Sequence, residues 1–280
     1  WRLAARAKKR GIPVFSYIPP SAWAWRKGRA KTAAALADEI VAIFPHELPP
    51  YEEAGAHISF VGNPLIDTVQ AEMSPADARR HFGLIEGDVP ILLLPGSRRE
   101  EIERLLPAML AAAKILHAQD PARRFFLPVA GSVPKERVQE LITSSGMPVT
   151  LTYDARYALM GIARAAMATS GTVVMEAAIM GLPVVVLYRM SALSYFIGRL
   201  LVDVPRFSLP NILLGETFET ELLQNEVQPE RIADEMERIL ADGTVRTYII
   251  QRLARAVELL GAPHAARRVA EKIIALAERR

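Results

Sequence analysis

No cysteine occurs in the 280 residues. Disulfides, thiolate metal sites and a cysteine nucleophile are thereby excluded, and the chain suits a reducing compartment, with the cytoplasm as the default. The five histidines, His46, His57, His81, His117 and His264, stand apart without metal-ligand spacing and read as surface or loop residues. Also missing are a Gly-x-Ser-x-Gly elbow, a Walker phosphate loop and the spaced glycines of a dinucleotide fingerprint, so hydrolase and metalloenzyme readings are weak. No metal or cofactor is implied. The most apolar stretch, between Arg164 and Arg189, is split by Glu176, and neither piece reaches the roughly 18–20 residues of a spanning helix. With 51% apolar and 23% charged positions, the chain reads as a soluble globular protein of one large or two ordinary domains.

Acid is absent from the first 31 residues, which hold nine Lys/Arg: Arg2, Arg6, Lys8, Lys9, Arg10, Arg26, Lys27, Arg29 and Lys31. The other 249 residues carry 25 basic and 31 acidic groups, so a net charge of +3 conceals a strong asymmetry. Such a stretch points to an anionic partner, phosphates or an anionic membrane surface, or else is a solvated basic helix face. It contains no nucleic-acid reading motif, and no nucleic-acid partner is expected. The chain opens on Trp1, and residues 1–10 read as the middle or end of a helix, so the native start is expected upstream.

Strands and helices alternate along the sequence. A strand over 12–18, a helix over 31–38, a strand over 39–44, a short helix near 51–54 and a strand over 57–61 form one series. Gly62-Asn63-Pro64 breaks it, and Ser74-Pro75 offers an N-cap with proline at the first helical position. The domain boundary is placed here, giving domains 1–70 and 71–280. Beyond it come strands at 90–94, 125–129, 149–152, 165–169 and 184–188, with helices at 100–117, 134–142, 155–162 and 173–180 between them. Continuous apolar strands alternating with helices mean an α/β fold whose parallel sheet is covered on both faces. Ile102, Leu105, Leu106, Met109, Leu110 and Ala113 mark the core stripe of the helix at 100–117. Helices at 229–241, 245–260 and 263–277 close the chain.

Ligands of such sheets sit beyond the carboxyl ends of the strands, so the strand-to-helix loops are the candidates. In Leu94-Pro95-Gly96-Ser97-Arg98, Gly96 permits close backbone approach, Ser97 and the helix-start amides can donate to phosphate, and Arg98 is a fixed cation. A structural reading stays open, because Ser97 and Glu100 stand at capping-box spacing. In Thr169-Ser170-Gly171-Thr172, the amides of 172–174 and the positive helix end suit a diphosphate. Glu176, one turn further among apolar neighbours, suits two ribose hydroxyls and is costly to bury unpaired. Two tryptophans, Trp23 and Trp25, stand beside Arg26 in a third loop, read as a ligand contact or as interface packing. A fourth feature is Tyr188-Arg189 followed by the apolar segment 191–202, which is either buried core or a membrane or acyl-chain contact. Pro210 then fixes a loop from which the Asn211 amide could reach a ligand.

Together, Pro20-Ser21-Ala22-Trp23-Ala24-Trp25-Arg26, Val61-Gly62-Asn63-Pro64-Leu65, Leu94-Pro95-Gly96-Ser97-Arg98 with Glu101, Ser170-Gly171-Thr172 with Glu176, Tyr188-Arg189 and Leu209-Pro210-Asn211 closely resemble the lipid-A-disaccharide synthase family. The resemblance covers most of the chain. It implies a GT-B fold, with an incomplete N-terminal Rossmann-like domain and a complete C-terminal one that binds the UDP-sugar. The implied reaction joins UDP-2,3-diacylglucosamine to 2,3-diacylglucosamine 1-phosphate with inversion, releasing UDP. By the same resemblance, Gly96, Ser97, Arg98, Ser170, Gly171, Thr172 and Glu176 hold the UDP, while Trp23, Trp25, Arg26, Glu101, Arg189 and Asn211 position donor or acceptor. The family's catalytic aspartate belongs upstream of the segment matching Trp1, so no residue here inherits that role and the chain alone is expected to be inactive. Asn63 departs from the histidine of many members. The resemblance also implies peripheral attachment to the inner face of the cytoplasmic membrane and leaves a homodimer open. The alternatives are another UDP-sugar GT-B transferase or epimerase, or a non-catalytic UDP-sugar-binding remnant.

Overall fold

The computed structural model describes residues 1–22, 28–129, 131, 133, 135–190 and 205–278. Trp23, Trp25, Arg26 and the apolar segment 191–202 lie outside the described residues. The chain divides into two compact units: Trp1–Thr68 joins residues 258–278 in the first, and residues 69–190 join 206–257 in the second.

In the first unit, strands β1 (Phe15–Tyr17), β2 (Glu39–Ala42) and β3 (Ile58–Phe60) form a parallel sheet in that order. β2 is buried along its whole length, and Ile40 packs with Ala30, Ala33 and Tyr51 in a small core. Asn63 is fully buried: its Nδ2 donates to the Ile43 carbonyl at 2.9 Å and its Oδ1 accepts the Leu65 N–H at 2.9 Å. The amide satisfies backbone groups in a turn, a structural use that needs no proton transfer.

The last helix, Ala265–Glu278, belongs to this first unit, whereas a division into 1–70 and 71–280 puts it in the second. Side chains from the two ends of the unit explain the return. Asp67 accepts the N–H of His264 at 2.7 Å and of Ala265 at 3.1 Å, capping the helix. Arg268 donates to the Val61 carbonyl at 2.7 Å, and Lys272 donates to the buried Glu39 carboxylate at 2.9 Å.

In the second unit, β4 (Val89–Leu94), β5 (Arg123–Pro128), β6 (Val149–Thr152), β7 (Ala165–Thr169), β8 (Val184–Tyr188) and β9 (Glu221–Leu223) form one parallel sheet in the order β6-β5-β4-β7-β8-β9. This is the expected α/β class, with the addition of β9, which pairs with β8. β7 is buried throughout, as are five of the six residues of β4. The stripe of the helix Arg99–Gln119, Ile102 to Ala113, is buried as core. From β4 the chain winds outward through β5 and β6, then returns to the opposite side of β4 to build β7, β8 and β9. The winding thus reverses between β4 and β7, where doubly wound sheets open a crevice. Among the described residues, no helix is long and apolar enough to cross a membrane.

Candidate functional site

β4 and β7 are hydrogen-bonded neighbours with Leu94 opposite Ala168, so the loops leaving their carboxyl ends start side by side. A cavity of about 640 Å³ opens there, within the size range of small-ligand sites. Gly96, Ser97, Arg98 and Glu101 line it from the first loop, and Ser170, Gly171, Thr172 and Glu176 from the second. Residues as far apart in sequence as Gly96 and Ser170 thus share one cavity wall because the sheet order makes their strands adjacent.

The first loop is braced from within. The Arg98 N–H donates to Glu101 Oε2 at 3.3 Å, and its guanidinium donates to Glu101 Oε1 at 2.8 Å. The capping pair is therefore Arg98 with Glu101, one residue beyond the Ser97–Glu100 spacing, because the helix begins at Arg99. Gly96 has φ +111°, and a Cβ there would stand 2.3 Å from Glu101 Oε2 and 3.0 Å from its Cβ. Glycine is needed for both conformation and space. The Arg98 side chain is 82% exposed, leaving its cation accessible from the cavity mouth.

In the second loop, the helix Thr172–Ile179 starts from Gly171, an N-cap with no side chain to satisfy the first amides. The Val174 N–H turns back to the Gly171 carbonyl at 3.2 Å, which removes it from the three amides expected to face a ligand. Ser170 is committed inside the protein: its hydroxyl donates to the Phe207 carbonyl at 2.7 Å and its N–H to the Leu187 carbonyl at 3.1 Å. Glu176 is buried at 8% exposure, and its Oε2 makes no hydrogen bond among the described residues. Burial pushes its carboxyl above the usual range, and the Arg156 guanidinium, 3.3 Å away, pulls it down.

Arg156 itself had no sequence signal. It lines the cavity with Tyr153, Asp154 and Glu72, from the loop after β6 and the entry to the second unit. Glu72 caps the helix Arg156–Ile162, accepting the Ala158 N–H at 2.7 Å. Lys135 Nζ lies 4.3 Å from the Tyr153 ring centroid, and His81 Nε2 lies 3.3 Å from Asp154 Oδ2. The lining thus combines aromatic and charged side chains with a helix start and the Arg98 cation.

Two expected ligand contacts are employed elsewhere. The Asn211 amide is fully buried in the short helix Leu209–Leu214: Nδ2 donates to the Glu219 carbonyl and to Glu221, and Oδ1 accepts the N–H groups of Phe218 and Glu219. Arg189 donates to the carbonyls of Gln224 at 3.3 Å and Val227 at 2.7 Å, outside the cavity lining. Both side chains fasten the edge of the sheet. Among the described residues, no group of three His, Cys, Asp or Glu is placed to hold a metal.

Comparison with known proteins bears on this arrangement at two levels. A solved UDP-GlcNAc 2-epimerase from Neisseria meningitidis, bound to UDP-GlcNAc, superposes with a TM-score of 0.66 at 15% identity, covering 97% of this chain and 72% of that one. That likeness concerns the fold, the α/β class shared by GT-B transferases and epimerases. The lipid-A-disaccharide synthase of Syntrophus aciditrophicus is 44% identical over 98% of this chain and 72% of its own length. That of Trichlorobacter lovleyi is 39% identical over 99% and 72%. The family model described as lipid-A-disaccharide synthetase matches residues 1–274, a span that includes both loops of the cavity and most of the helix returning to the first unit. The chain belongs to the lipid-A-disaccharide synthetase family, glycosyltransferases of lipid A biosynthesis.

Proposed function

We propose that this chain supplies the donor site of an enzyme that transfers 2,3-diacylglucosamine from its UDP derivative to 2,3-diacylglucosamine 1-phosphate, with inversion and release of UDP. The supporting observation is the convergence of the two strand-end loops on one cavity, with Glu176 buried at its wall and Oε2 without a hydrogen bond among the described residues. A carboxylate so placed accepts two vicinal ribose hydroxyls, which restores the hydrogen bonds lost on burial. The amides of Thr172 and Val173, at the positive end of their helix, face the diphosphate. Arg98 adds a full positive charge where negative charge develops as the UDP departs. Transfer also needs a base for the acceptor hydroxyl proton. That role is assigned to no residue of this chain, and we expect the chain alone to hold UDP without turnover.

Attachment to an anionic membrane surface at the inner face of the cytoplasmic membrane is part of the same proposal. It is supported by the helix Arg2–Lys9, which buries no residue, ends in Arg6, Lys8 and Lys9, and leaves Leu3 82% exposed. Cations beside an exposed apolar side chain suit a lipid surface.

Calorimetric titration tests the donor reading. UDP should bind, Glu176→Ala should weaken it roughly tenfold, and 2′-deoxy-UDP should lose less than UDP does in that variant. Equal losses for the two nucleotides would remove Glu176 from the ribose.

A further inference from the structure

A carboxylate outside the described cavity lining gathers the donors of the segment on which Ser170 is anchored. Glu221 sits on β9, the edge strand, with its Cα paired to Val186 of β8. Its Oε2 accepts the Phe207 N–H at 2.8 Å, while its Oε1 accepts the Ser208 N–H at 2.9 Å and Asn211 Nδ2 at 2.7 Å. Three donors therefore converge on one side chain that has only acceptors. The peptide they hold presents the Phe207 carbonyl to the Ser170 hydroxyl at 2.7 Å. The Phe207 ring stacks on that of Tyr188, at the end of β8, with centroids 6.0 Å apart.

With its hydroxyl proton and its N–H both engaged, Ser170 acts as an anchor for the amides that follow it. Its anchor point is a backbone carbonyl in residues 205–208, which form no strand and, among the described residues, are held by Glu221, by the ring stack and by the bonds of Ser208 to Glu219 and Ile212. We propose that Glu221 is a positioning residue for the diphosphate loop, acting through residues 207 and 208 on Ser170 and setting UDP affinity from behind the cavity wall. This rests on the UDP reading given above. Glutamine cannot replace the carboxylate, because its NH₂ must face one of the three donors and push the 207–208 peptide away. Ser170 then loses its acceptor, and the loop amides lose the alignment on which phosphate binding depends.

The test is UDP titration of the full chain as parent, Glu221→Gln, Ser170→Ala and the double variant, with Leu222→Ala as a stability control. Leu222 is a buried neighbour on the same strand and no part of the relay. Glu221→Gln and Ser170→Ala should each weaken UDP roughly tenfold, and the double variant should bind no worse than the weaker single one, because both act on one contact. Leu222→Ala should lower the melting temperature while leaving UDP affinity within about twofold of the parent. The proposal is overturned if Glu221→Gln binds like the parent, if the two losses multiply, or if affinity simply follows melting temperature across the set. Should Glu221→Gln not fold, Ser170→Ala decides, and unchanged affinity there overturns the relay. Failure of the parent to bind UDP overturns the donor reading itself, which a parent that binds beside unaffected variants does not.

Discussion

Arg156 Nη2 stands 3.3 Å from Glu176 Oε2, and both side chains line the same cavity. The pair joins the loop after β6 to the helix after β7, and it opposes the effect of burial on the acid. The proposed donor site requires a charged Glu176, since a protonated carboxyl loses acceptor capacity. Affinity should therefore fall as the pH drops through the raised Glu176 pKa. In Arg156→Gln the opposing cation is gone, the pKa rises further, and the acid limb of the UDP affinity profile moves to higher pH. Titrations between pH 5 and 8 check this, and an unmoved limb contradicts it.

Gly96→Ala should be among the costlier single-methyl additions in the second unit. The new Cβ meets Glu101 at φ +111°, so it breaks the Arg98–Glu101 brace as well as straining the backbone. A loss of about 1–3 kcal/mol is expected, together with weaker UDP binding. Gly181→Ala is the comparison: φ is +68°, and nothing lies within 4 Å of its added Cβ. Urea unfolding should show the smaller loss there, with UDP affinity retained.

Glu219 predicts a pH dependence of stability with a definite sign. Complete burial pushes its carboxyl up to about 8, with Glu221 adding to the rise and the Ser208 hydroxyl and Val184 N–H opposing it. The folded protein keeps a proton that the unfolded chain releases near 4.5. This contribution is fully present below the unfolded value and is lost as the pH climbs through the folded one. Glu219→Gln stays neutral throughout. Its stability relative to the parent should rise from pH 5 to pH 8, by up to about 1.4 kcal/mol per unit. A difference that stays constant with pH in urea unfolding would show that Glu219 is ionised in the fold.

Both loops of the cavity were legible in the sequence because each lies between a continuous apolar strand and a helix start, a purely local pattern. Their adjacency follows from the β4–β7 pairing, which local pattern alone does not specify. What stayed hidden is long-range or short. Glu72 caps a helix 86 residues away through Ala158, and Arg156 becomes a site residue through that helix. β9 has three residues, too few for a period to declare itself. Asn211 and Arg189, read in the sequence as donor-positioning residues, have their polar groups taken by backbone carbonyls and, for Asn211, by Glu221. A polar residue in a proline-fixed segment serves a fold or a ligand equally well, and only the count of its partners separates the two.

The proposed donor site places UDP in the cavity between the β4 and β7 loops. The most direct measurement is calorimetric titration of UDP into the parent chain and into Glu176→Ala at pH 8. One-site binding by the parent and affinity roughly tenfold weaker in the variant are expected, with the melting temperature of the variant maintained because a buried charge has been removed. Absence of UDP binding by the folded parent, or equal affinity in the two proteins, would contradict it.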